Sequence, residues 1–131
     1  MSRDAFAQLA ARFRYPSSPE LQAIYTTTFD LAPSCSPYLG THLFGDDSRD
    51  RARLMLGLRG AGVQGAELPD HIAEVLEFAP RFRDDEWREL VPLVLEPALT
   101  KMDALLRETA NPYRHAVAEA LALCREETSC C

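Results

Sequence analysis

The chain has 131 residues, 47% of them hydrophobic and 26% charged, the balance of an ordinary globular fold long enough to bury roughly two-thirds of its unfolded surface. A net charge of −6, from 14 cations against 20 acids, excludes the basic face that nucleic-acid phosphates require. No apolar run reaches membrane-spanning length, and an N-terminus bearing Arg3, Asp4, Arg12 and Arg14 lacks the apolar core of a secretion signal. A cytoplasmic protein is expected. Cys35, Cys124, Cys130 and Cys131 make no C-x-x-C pair and have no histidine at zinc-finger spacing. They read as inert thiols, with 126–131 as a mobile tail.

In chain order, Arg3 to Arg14 predicts a first helix, with Phe6, Leu9, Ala10 and Phe13 on one face. Tyr15-Pro16-Ser17-Ser18-Pro19 ends it and starts a second, whose stripe is Leu21, Ile24, Tyr25, Thr28 and Phe29. The run Thr26-Thr27-Thr28 favours strand by propensity, but the apolar period is helical. Ser36-Pro37 reads as a cap and first-turn proline for a short helix carrying Tyr38, Leu39, His42 and Leu43 and ending at Gly45. Asp46, Asp47 and Ser48 offer caps for a fourth helix running to about Arg59.

A glycine-rich loop, Gly60 to Gly65, then delivers the chain to Glu67-Leu68-Pro69-Asp70-His71. Pro69 suits a first helical turn, and Asp70 places negative charge at the positive end of a helix from Ile72 to Ala79. Its stripe is Ile72, Val75, Leu76 and Ala79, with Glu74 and Glu77 expected on the polar face. Pro80 ends the pattern; Asp84 or Asp85 caps the next helix, at Trp87. Pro92 and Pro97 must kink or restart the segment Leu90 to Leu106, whose core face is Leu95, Leu99, Met102 and Leu106. Asn111-Pro112 opens a last helix with Tyr113, Val117, Ala120, Leu121 and Cys124 on one side. The whole is an all-α, single-domain helical bundle of about seven or eight helices, over residues 1–131.

Nucleotide cradles and the G-x-S-x-G elbow are absent. His42, Asp70 and His71, with Asp46 or Asp47, form a carboxylate–imidazole set that would bind a metal only if the loops converge. Short helices interrupted by prolines can also leave an apolar groove able to take up an amphipathic helix or an extended peptide.

Four stretches in order resemble one family. Tyr25-Thr26-Thr27-Thr28-Phe29-Asp30 is similar to its Tyr-x-x-x-Phe-Asp motif, and Tyr38 to Arg51 to its leucine–histidine–aromatic–glycine–acid–arginine stretch. Glu67 to Phe78 resembles its signature, and Asn111-Pro112-Tyr113 the opening of its last helix. The family is the nitrate-reductase delta-subunit type of molybdoenzyme assembly chaperone, related to the TorD-like chaperones. The resemblance implies an all-helical, non-enzymatic chaperone with no cofactor or metal of its own. It would bind the catalytic (alpha) subunit of a molybdenum oxidoreductase, a respiratory nitrate reductase in the first instance, at its N-terminal segment and hold it competent for molybdenum-cofactor insertion and membrane assembly. Carried over onto the matched motifs, the client-binding residues are Pro69, Asp70, His71, Tyr25, Asp30, His42 and Arg49. The chain departs from its relatives between Pro16 and Leu21, where they carry further helices; it is either a trimmed bundle or one completed by a second copy. The rival expectation is a small metal- or thiol-dependent enzyme using His42, Asp70, His71 and the C-terminal cysteines.

Overall fold

The computed structural model describes residues 3–14, 16–30, 35–45, 47–108 and 111–129. Eight α-helical segments run through them: α1 (Asp4–Ala10), α2 (Pro19–Tyr25), α3 (Leu39–Phe44), α4 (Ser48–Ala61), α5 (Ile72–Phe78), α6 (Asp84–Leu90), α7 (Glu96–Glu108) and α8 (Tyr113–Ser129). The only β pairing among these residues is a single bridge, Tyr38 to His71. The all-α bundle is therefore as the spacing predicted.

The apolar stripes become the core. Phe6, Leu9, Ala10 and Phe13 of the first helix are buried, as are Ile72, Val75 and Leu76 of α5, Leu99, Met102 and Leu106 of α7, and Val117, Ala120 and Cys124 of α8. Helix α1 packs across α5, and α7 along α8. Phe6 meets Trp87 edge-on with ring centroids 4.9 Å apart, and Arg3 lies over the same indole at 5.5 Å. Its guanidinium donates to the carbonyls of Ala79 and Phe82. The N-terminal helix is thus clasped to the end of α5, and only residues 14–18 separate the helical turn that ends it at Phe13 from α2.

Two boundaries differ from expectation for local reasons. Pro92 does not end the helical path: it runs continuously from Asp84 to Glu108 and changes type at the proline, with a π-helical turn at Val91–Leu95 absorbing the missing N–H. A second π turn, Thr26–Asp30, continues α2, and the hydroxyls of Thr27 and Thr28 bond back to the carbonyls of Ala23 and Ile24. Asn111 caps α8 through its Oδ1, 2.9 Å from the Tyr113 N–H, while its Nδ2 donates to the buried Thr28 hydroxyl at 2.7 Å. That bond ties the end of α2 to the start of α8. Asp47 caps α4 as expected, accepting from the N–H groups of Arg49 and Asp50, whereas Asp46 lies outside the described residues. Cys130 and Cys131 lie outside them too; the backbone continues α8 to Ser129.

Burial pushes the thiols of Cys35 and Cys124 up to about 12. Neither position should be alkylated by iodoacetamide at about pH 8 in the folded chain, and both should be in urea, because only the thiolate reacts. Mass-spectrometric mapping of the labelled positions checks this.

Candidate functional site

The loop before α5 is shaped by a turn and a bridge. The Leu68 carbonyl accepts the His71 N–H at 3.0 Å, with Pro69 at the second position of the turn, where its fixed φ belongs. The chain then pairs with residues 37–39: Leu39 N–H donates to the Asp70 carbonyl, and Ile72 N–H to the Pro37 carbonyl, each at 2.8 Å. Ser36-Pro37 therefore precedes α3 as an extended segment and is not its first turn.

This pairing carries Asp70 into the interior. Its side chain has no exposed surface. Arg51 holds it bidentately, Nε to Oδ2 at 2.8 Å and Nη2 to Oδ1 at 3.2 Å, and the Gly40 N–H adds a third bond to Oδ2 at 3.2 Å. A Cβ at Gly40 would stand 2.6 Å from both Oδ2 and the Arg51 Cγ, so only glycine fits at this crossing. The guanidinium lies over the Tyr38 ring at 5.0 Å. The Tyr38 hydroxyl donates to Glu67 at 3.0 Å, and burial, reinforced by that carboxylate, pushes the phenol up to about 12. The bond to Asp70 foremost raises the Arg51 pKa above its usual value. One fork thus joins α4, the start of α3 and the loop before α5.

Asp70 does not supply charge to the start of α5 as expected. His71 caps that helix, its Nδ1 accepting the Ala73 N–H at 3.0 Å, with its ring edge-on to Tyr38 at 5.2 Å. Pro69 precedes the helix. Burial foremost lowers the His71 pKa, opposed by Glu67, Glu74 and Asp70. An accepting Nδ1 must be unprotonated, so the cap requires the neutral ring. The folded pKa lies below the unfolded value of about 6.5, so this stabilisation is complete above that pH and is lost as pH falls through the folded value. His42 shifts in the same direction. The urea midpoint should therefore drop between about pH 7 and about pH 5, and His71→Asn, which keeps a capping acceptor without titrating, should reduce that drop.

The other sequence-nominated residues lie elsewhere. Tyr25 is core, its ring against Phe29 at 5.0 Å and Tyr113 at 6.0 Å. His42 bonds the Ser36 carbonyl at 2.8 Å, 3.9 Å from the Cys35 sulfur. Arg49 is exposed, and the arginine that enters the cluster is Arg51. The side chain of Asp30 lies outside the described residues. Imidazoles and carboxylate do not converge: Asp70 is occupied by Arg51, and among the described residues no three His, Cys, Asp or Glu side chains gather as a metal site.

A second charged knot supports the loop from below. Glu74, expected on the polar face, is buried and paired with Arg14, which also reaches Glu77. Above the Asp70 fork the surface is open: Leu68 is 41% exposed, and a crevice of about 230 Å³ is lined by Arg59, Val63, Gln64, Gly65, Glu67 and Pro69. An apolar groove of about 290 Å³ runs between α4 and α6, floored by Leu54, Leu58, Phe82, Leu90 and Val94.

A sequence profile for the nitrate reductase delta subunit matches residues 2–119. The chain belongs to that family. The match spans the N-terminal clasp, the Asp70–Arg51 fork and the start of α8, so the resemblance on four short motifs extends to nearly the whole chain. Nitrate reductase delta subunits are molybdoenzyme assembly chaperones. No curated protein and no solved structure matches the chain.

Proposed function

We propose that this delta-subunit relative is a non-enzymatic cytoplasmic chaperone that binds the catalytic subunit of a molybdenum oxidoreductase, a respiratory nitrate reductase in the first instance. It engages the N-terminal segment of that subunit and keeps it competent for cofactor insertion and membrane assembly, and it works as a homodimer. The observation that carries the reading is the family match over residues 2–119. The geometry agrees with a binding module. Its most specific polar cluster is saturated internally, as a scaffold requires, and the loop that it fixes presents exposed Glu67 and Leu68 beside a crevice.

In this reading the nominated residues divide by burial. Arg49 is exposed and available to a client, and His42 is partly so. Pro69, Asp70, His71 and Tyr25 are buried and act by holding the binding face in one conformation, so that less ordering accompanies association. The test is binding of the apo catalytic subunit to the chain carrying Leu68→Asp or Asp70→Ala with His71→Ala. Leu68→Asp should weaken binding at least about tenfold with helicity and Tm unchanged, as loss of a buried apolar contact at a partner surface does. The buried pair should lose binding and stability together. Undiminished binding by both would remove this face from the client interface.

A further inference from the structure

The two most exposed large hydrophobic side chains among the described residues are Leu93, at 68%, which lines the groove between α4 and α6, and Leu56, at 69%, which precedes the groove-lining Gly57 on α4. On α4, Gly57 lines the groove and Gly60 lies one turn further on. A Cβ at either would meet nothing within 4 Å. Each glycine lowers helix stability relative to alanine, and no contact among the described residues requires it. Both leave room for close approach of another backbone. The rims carry opposite charge, Arg53 on α4 against Glu86 and Glu89 on α6. Arg53 pairs only loosely with Asp50, at 3.6 Å, and neither glutamate meets a cation among the described residues.

A patch with its own knob, hollow, cation and anion is complementary to itself, which is what a two-fold interface demands. We propose that the α4–α6 groove docks a second copy of this chain. Leu56 and Leu93 of each copy enter the groove of the other, the helices α4 cross at Gly57, and Arg53 of one copy meets Glu89 of the other. The inference gives the proposed homodimer its interface and rests on that part of the reading. It does not require the second copy to cover the shortened N-terminal region, which α1 already closes.

The test is sedimentation velocity on the full chain across the micromolar range. The mass should rise with concentration from 14.6 kDa toward twice that value. Leu56→Glu with Leu93→Glu should hold it at the monomer with unchanged helicity, since both side chains are exposed. Arg53→Glu should weaken the dimer about tenfold, as reversal of an interfacial charge does, and adding Glu89→Arg should restore it. Gly57→Ala should raise Tm while weakening the dimer, a combination that a purely structural glycine cannot give. A monomer at every concentration, a dimer indifferent to these changes, or a client peptide occupying the groove of a monomer would each overturn the proposal. In the last case the chaperone reading stands and only the occupant changes.

Discussion

Arg51→Met is expected to destabilise the chain by about 3–5 kcal/mol, the cost of leaving a buried carboxylate without its partner. Asp70 has no exposed surface, and removing the fork leaves only the Gly40 N–H to satisfy it. Arg49→Ala, two residues away and exposed, should change stability by less than about 0.5 kcal/mol. The double variant Arg51→Met with Asp70→Asn should recover part of the loss, because the amide still accepts from Gly40 and carries no charge. Urea denaturation with an unchanged m value would report these differences as stability alone. A loss no greater than that of Arg49→Ala would show that the fork does not hold the loop.

The second large effect is expected at Gly65. A Cβ there would fall 1.5 Å from Glu74 Oε2 and 2.4 Å from its Cδ. The carboxylate must leave its buried place, and Arg14 then loses its buried partner and keeps only Glu77 on α5. Gly65→Ala should cost about 3 kcal/mol, near the lower limit for breaking a buried pair. Glu74→Ala should cost a similar amount, and the double variant much less than the sum, since both changes destroy one arrangement. Additive losses would mean that Gly65 and Glu74 act separately.

Those two residues mark where a one-dimensional pattern stops being informative. Core stripes were legible because apolar period and helix period coincide: Phe6, Leu9 and Phe13, or Leu99, Met102 and Leu106, fall on one face in any helix that forms. The partners of the charged groups were not legible in the same way. Arg49, Arg51 and Arg53 alternate along one helix, and the motif match nominated the first. The signal for Arg51 was nonetheless present, since it shares a face with Leu54, Met55 and Leu58 and is the arginine on the inward stripe of α4. Glu74 carried no such signal, because its burial depends on Arg14 arriving from sixty residues away. His71 and Asp70 were nominated together, and the structure separates them into a helix cap and a fork that locks the loop.

The family match and the fold lead to one expectation about use. A loop held rigid by Asp70, Arg51, Tyr38 and Glu67 presents its outer face already formed, so a disordered client segment bears most of the ordering on binding. The most direct measurement is calorimetric titration of the full chain with a peptide from the N-terminus of the molybdoenzyme catalytic subunit of the same organism. Micromolar or tighter binding, weakened by Leu68→Asp while the fold is retained, is the predicted result. Absence of heat with the peptide, and of any complex between the folded chain and the whole apo subunit, would contradict the chaperone reading.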